Sequence, residues 1–432
     1  MKKEIFASEY IPQRLQRGCS LSGAFNITEQ IKDCVTIMHA PAGCAAINLS
    51  NRFSTTYHRY LKGEMISKGS MALLITTNLN EQDVIFGGVE TLRTAIKDAL
   101  SKFSPQLIAI ITACVVGIIG DDVRAIVEEM QPQIPAEILV IESDGFLTGG
   151  FYTGIDNAYY ALLKELVEPP KQRYDNRVNI LGEKNLSTEA DFNFREMQRL
   201  INQFGMQVHT RFVRNTTTEQ IKQLTEVRVN IIRDTDIGLW PAQYLQERFG
   251  MEFLNKPFPV GRFATIEWLR AFGAIIDKVN EAEKIIEREN LFFTRNLKQI
   301  GESVAGKTAI VNGTGDFRWL VDIASGLGLK IIQVNIVGSV DDETFKILNS
   351  FFECRVSNVE LRENWEEIAF EVNKRRPNFC LSTARIPATE DGVAYASLPI
   401  VAPVGFNGVL RLAREWVSEI RHPFKEGWRI GN

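Results

Sequence analysis

The stretch LIAIITACVVGIIGDDV, Leu107 to Val123, decides the fold. It opens as an unbroken run of aliphatic residues, passes through Cys114, meets glycines at 117 and 120, and reaches two aspartates ahead of RAIVEEM. A strand buried on both faces reads as a continuous apolar run, whereas one with a wet face alternates. Asp121 or Asp122 then offers an N-cap to the helix that follows. Strand, turn and helix in this order make one βα unit. Cys114 stands at the carboxyl end of its strand, where open α/β sheets gather their ligands. The run from Leu107 to Gly120 is 14 residues, short of the roughly 18 that a membrane helix needs, so buried strand and turn are expected.

The same texture extends in both directions. MALLITT and AEILVIE are short, apolar and bounded by turn residues, and EQDVIFGGVETLRTAIKDALSKF between them ends in an amphipathic helical pattern. VEPPKQRYDNR, Val167 to Arg177, joins a Pro-Pro pair to a charge cluster and reads as a linker. A second βα series then runs from VNILGEKN through VRVNIIRDTD. A long helix, DKVNEAEKIIERENLFFTRNLKQIGESVAGK, leads to a third unit opened by TAIVNGTGDFRWL. The expectation is an α/β protein with three Rossmann-like domains and mainly parallel sheets, divided as 1–172, 173–300 and 301–432. The G-x-G of VNGTGDFRWL has no third glycine and no evident acidic partner, so it supports a nucleotide- or sugar-binding reading only weakly.

With 432 residues, 45% hydrophobic and 24% charged, the chain has the balance of a soluble globular protein. A formal charge of −4 and the lack of Lys/Arg runs give no footprint for nucleic acid. MKKEIFASEYIPQ carries no apolar stretch behind its lysines and is not a secretory signal. A cytoplasmic location, away from membranes, is expected. There six cysteines remain thiols, and grouped ones bind metal or react.

Cys19 follows Gly18 ahead of SLSGAFN, Cys44 closes MHAPAGC where Pro41 and Gly43 force a turn, and Cys114 ends a strand. All three are placed at turns, and glycine neighbours let backbone approach an inorganic cluster. Their separations fit no compact ferredoxin or zinc pattern, so buried structural cysteines remain an equal reading from position alone. Cys34 lies at the join of helix and strand in IKDCVTIM, Cys354 and Cys380 fall in strand-like runs, and all three read as core. His39 reads as a brace for the backbone, and His58, His209 and His422 as surface residues.

RGC at Cys19, HAPAGC at Cys44, TACVVGIIGDDV around Cys114, NLNEQDVIFGGVETL, YTGIDNAY at 152–159 and APVGFNGVLRLA at 402–413 together resemble component 1 of the nitrogenase family over nearly the whole chain. The resemblance implies that Cys19, Cys44 and Cys114 bind an iron–sulfur cluster shared with a homologous partner subunit. This would be an eight-iron, seven-sulfur P-cluster-like group (8Fe-7S) or a four-iron one (4Fe-4S). It also implies an α2β2 hetero-oligomer and an ATP-dependent iron protein as electron donor, docking near GIIGDDV. In the family's α-type subunits a large catalytic cofactor is anchored by one cysteine and one histidine. The matching positions here are Asp234 and Val404, with Arg233 the nearest partner for the aspartate. A valine cannot ligate, and a carboxylate poorly replaces a thiolate toward soft iron–sulfur centres. The resemblance therefore implies a β-type electron-relay subunit of a nitrogenase-like reductase, with a cofactor-assembly scaffold as the alternative. Some β-subunits of the family add a serine ligand where this chain has Phe146, which bears on cluster size. The substrate, whether dinitrogen, a tetrapyrrole or a carbon–sulfur compound, is not encoded in these residues.

Overall fold

The computed structural model describes residues 18–61, 73–145, 149–183, 189–314, 317–338, 342–353, 356, 358–383, 393–395 and 402–421. Three sheets follow one another along the chain, and every strand pairing is parallel. The first has the order β2-β1-β3-β4, from β1 (Cys34–His39), β2 (Leu73–Thr76), β3 (Leu107–Thr112) and β4 (Glu137–Ile141). The second has the order β6-β5-β7-β8, from β5 (Tyr174–Leu181), β6 (Gln207–Phe212), β7 (Val227–Ile232) and β8 (Phe253–Leu254). The third runs β11-β10-β9-β12-β13, from β9 (Thr308–Gly313), β10 (Lys330–Val337), β11 (Val359–Arg362), β12 (Phe379–Ser382) and β13 (Ala394–Tyr395). The α/β class and the parallel sheets agree with the sequence reading. The first two sheets lie in one compact unit, formed by residues up to Asp191 together with Gly205–Pro257; the third lies in a second unit with Phe192–Phe204.

Around the first sheet run α1 (Ser20–Thr28), α2 (Ala42–Leu61), α3 (Glu81–Phe86), α4 (Val89–Phe103), α5 (Cys114–Ile119), α6 (Val123–Met130) and α7 (Phe151–Glu165). Central β1 and β3 are buried at every residue, as unbroken apolar runs require. β2, expected to be equally buried, is an edge strand and only half-buried throughout. In α4 the buried residues Leu92, Ala95, Ile96 and Ala99 keep helical spacing and face the sheet. Gly120 in the left-handed region ends α5, and Asp122 then caps α6 through Ala125 N, so of the two candidate aspartates the second is the cap.

α1 and α7 cross at two glycines. A Cβ on Gly23 would stand 1.8 Å from Phe151 O, and one on Gly154 would stand 1.7 Å from Ser20 O. Any side chain there would force the helices apart, and this contact fixes the start of α1, where Cys19 sits.

Candidate functional site: three thiols at helix starts

Cys19 is the N-cap of α1 and pairs with Gly150 in an antiparallel bridge just before α7. Cys114 is the first residue of α5, after the carboxyl end of β3. Cys44 is placed differently from the expectation of an open turn, for it is the third residue of α2. Pro41 and Gly43 mark a helix start, which tolerates both residue types because the first-turn amides have no intrahelical partners. All three thiols are free and partly exposed. The amino ends of helices favour anions and so favour thiolates.

The thiols share one electrostatic neighbourhood. Burial pushes the Cys44 thiol up from its ordinary value, and the charges of Cys114 and Cys19 push it further the same way. Three thiolates brought near one another repel, so the thiolate forms are disfavoured unless a positive centre offsets them. Among the described residues no group of three or more His, Cys, Asp or Glu side chains is arranged to hold a single metal ion. Gly145 adds a cradle. It has φ +54°, and a Cβ on it would lie 3.0 Å from Cys114 Cβ and 3.3 Å from its Sγ.

Short hydrogen bonds hold this pocket. Ser20 Oγ lies 2.5 Å from Ser143 O and 2.6 Å from Gly145 O, so the residue after Cys19 clasps the loop beside Cys114. Ser143 Oγ donates to Thr112 O at 2.9 Å, and Thr112 Oγ1 donates to Asp144 Oδ1 at 3.1 Å. Sequence reasoning missed Ser20. The only local signal was its position directly after a candidate ligand.

His39 is fully buried, with Nδ1 3.1 Å from Thr77 Oγ1 and Nε2 3.2 Å from Asp121 Oδ2. Both nitrogens are engaged, so it is the brace expected. Burial lowers its pKa, against the opposing pull of Asp121. Cys34 and Cys380 are core, as expected, and burial raises the Cys34 pKa to about 12. His209 corrects its surface expectation: it is half-buried in β6, and its Nε2 is buried without a hydrogen-bond partner. Phe146, Cys354, His422 and the His58 side chain lie outside the described residues.

Asp234 caps α10 (Thr235–Phe249; α8 is Ala190–Asn202 and α9 Thr218–Lys222), accepting from Ile237 N at 2.9 Å. Arg233 Nη1 stands 3.6 Å from its Oδ2, the pairing expected. Val404 is buried in the second unit, bridges Val260, and its backbone amide donates to Asn193 Oδ1 at 3.2 Å. Neither position presents a thiolate or an imidazole.

The fold is a parallel-sheet α/β protein with three free thiols at helix starts. The chain is a member of the nitrogenase component 1 type oxidoreductase family, whose model matches residues 19–421. It is 28% identical to the nitrogenase molybdenum-iron protein alpha chain of Methanothermobacter marburgensis, over 94% of this chain and 88% of that protein. It is 26% identical to the nitrogenase iron-molybdenum cofactor biosynthesis protein NifE of Clostridium pasteurianum, over 78% and 71%. The solved structure of nitrogenase Cp1 at pH 6.5 superposes with a TM-score of 0.66, covering 98% of this chain and 92% of that one; at 19% identity this speaks to the fold alone. Among the described residues no helix is long and apolar enough to cross a membrane.

Proposed function

We propose that this chain is the cluster-bearing subunit of a nitrogenase-like two-component reductase, in the β-type role, and that its cluster is held by Cys19, Cys44 and Cys114 together with a homologous α-type partner in an α2β2 assembly. The observation that carries this is the convergence of three free, part-exposed thiols at helix starts beside the Gly145 cradle. When bound, the cluster supplies one-electron redox chemistry between an ATP-dependent iron protein and a cofactor on the partner. The chain's own residues orient the thiolates: Ser20 ties the Cys19 helix to the Cys114 loop, and the Gly23–Gly154 crossing fixes the start of α1. Val84, Ile85 and Phe86 on α3 and Ile118 on α5 form an exposed apolar face beside the Cys114 helix, with Phe86 85% exposed, and this face suits the docking of the electron donor. The division into three domains at 172 and 300 and a cytoplasmic location belong to the same proposal.

The β-type role rests on Asp234 and Val404, where the anchors of a large cofactor are missing. A cofactor-assembly scaffold is the second reading. It is favoured by the similarity to the cofactor biosynthesis protein NifE, while the similarity to a molybdenum-iron protein alpha chain speaks against the β-type role. The test is anaerobic purification with the partner subunit. Single Cys→Ala changes at 19, 44 and 114 should strip iron and the visible absorbance band, while Cys380→Ala should keep both. Full iron in all three variants would refute the cluster assignment. Turnover with an iron protein supports the reductase, and transfer of a bound metal cofactor to a second protein supports the scaffold.

A further inference from the structure

His39 has contacts that its bracing role does not exhaust. Its carbonyl accepts from Ala113 N at 3.1 Å, directly before Cys114. Its Nε2 meets Asp121 Oδ2, and the same oxygen accepts from Gly88 N at 2.9 Å. A carboxylate only accepts, so the imidazole proton sits on Nε2, and Nδ1 accepts from the Thr77 hydroxyl. Thr77 Oγ1 in turn accepts from Ala40 N at 3.1 Å, and Ala40 O accepts from Leu79 N at 3.1 Å. Four segments thus meet around one ring: the end of β1 leading to Cys44, the loop after β2, the Gly87–Gly88 hinge between α3 and α4, and Asp121, just past the Gly120 cap of the α5 helix that begins at Cys114.

The packing leaves no slack. A Cβ on Gly88 would lie 2.8 Å from His39 Cε1, 2.9 Å from Asp121 Oδ2 and 2.6 Å from Leu79 Cδ2. Gly87, with φ +93°, sits beside Asp121 Oδ1, which a Cβ there would approach to 3.1 Å. The hinge directly follows Phe86, the most exposed of the large apolar residues among those described. A displacement of the Val84–Phe86 face therefore moves Gly88, and through Asp121 it meets His39 and α5 together.

We propose that His39 is a positioning residue which, through Asp121, locks the hinge behind the Val84–Phe86 face to the helix that starts at Cys114, so that occupation of that face and the placement of Cys114 are mechanically coupled. This rests on the reading of Cys114 as a cluster ligand and of the face as a docking surface. The coupling itself belongs to the chain and is measurable without either.

The test is amide hydrogen exchange resolved to single residues, on the full chain. In the wild type, the amides of Gly88, Val116 and Gly120 should open in one step, with protection factors within threefold of one another. His39→Leu fills the space but cannot donate to Asp121, and it should accelerate exchange tenfold or more at both Gly88 and 116–120. His39→Gln, which regains a donor, should restore protection to within threefold of wild type. Acceleration confined to one segment, failure of His39→Gln to rescue, or wild-type protection factors differing by more than tenfold between the segments would each overturn the proposal. If His39→Leu does not fold, the wild-type comparison decides. The iron content of the cysteine variants tests the cluster reading separately, so the two can fail independently.

Discussion

Gly154→Ala puts the architecture of the site under direct strain. The new methyl would stand 1.7 Å from Ser20 O, 2.6 Å from Ser20 C and 2.8 Å from Ala24 N. An ordinary carbon–oxygen contact needs more than 3 Å, so α1 and α7 would have to part by roughly 1.5 Å, well beyond what packed interiors absorb without cost. Overpacking of this kind costs about 1–3 kcal/mol. A shift of that size also breaks the paired contacts of Ser20 Oγ, now 2.5 and 2.6 Å from their acceptors, for about another 1 kcal/mol. A loss of about 2–4 kcal/mol lowers the melting temperature by roughly 4–15 °C in a unit of this size. Cys19 caps the displaced helix and moves with it, while metal ligation tolerates only about ±0.2 Å. Iron per chain should therefore fall more steeply than stability. The assay is calorimetry of the iron-free chain beside iron quantitation of the assembled complex. A variant that melts within 1 °C of wild type and keeps full iron would refute both the crossing and its role in placing Cys19.

Gly43→Ala should behave in the opposite way: among the described residues a Cβ there meets nothing within 4 Å beyond its chain neighbours and its own helix backbone, and alanine gains up to about 1 kcal/mol in a helix. The iron-free chain should melt at the same temperature or higher while the complex loses iron, because the open space lies beside Cys44; unchanged iron would show that nothing approaches it. Asp191→Asn tests a buried ion cluster in which Asp191 accepts from Arg211 and Arg214 at 3.0 Å and Arg211 is paired with buried Glu183. Burial pushes the Asp191 carboxyl up, but the two arginines outweigh it and hold its pKa well below the usual range. The stabilisation is thus complete above the unfolded carboxylate value near about 4 and is lost as the pH falls below it. Asp191→Asn should cost about 2–4 kcal/mol at pH 7 in urea unfolding, with the gap to wild type closing toward pH 2; a gap constant with pH would sink the assignment. Asp234→Ala should cost about 0.5–2 kcal/mol through the lost cap and leave iron content untouched; loss of iron would reopen this position as a ligand site.

The sheets were readable because parallel strands covered on both faces need unbroken apolar runs, and Leu107–Thr112 supplies one. The half-burial of β2 was not readable. Leu73, Leu74 and Ile75 have the same texture as their central neighbours, and only the strand order makes β2 an edge. His209 misled for a related reason, since its polar neighbours suggested solvent although the fold half-buries the ring. The cysteines were visible as residue types at element ends, and family resemblance singled out three of them. The contacts that organise them were not visible, because Ser20 reaches Gly145 across 125 positions and His39 reaches Asp121 across 82. Local periodicity carries no information at that range.

The same logic explains how one junction can serve two purposes. The turn from β7 into α10 places residue 234 at the first exposed amides of a helix, a position that favours any anion. A thiolate there can reach outward to a metal, whereas a carboxylate has a nearer partner and turns back to cap Ile237 N at 2.9 Å. With aspartate the helix start is satisfied internally, and Arg233 offsets its charge. At residue 404 the backbone amide is already committed to Asn193, and the side chain is packed away from solvent. An imidazole there would need a polar partner for each ring nitrogen or else bear the cost of burying one unpaired. Both residues thus make inward structural contacts. Cys19, Cys44 and Cys114 keep the opposite arrangement: N-cap Cys19 makes no side-chain capping bond, all three thiols are free, and the anion-favouring helix starts remain available to a shared group.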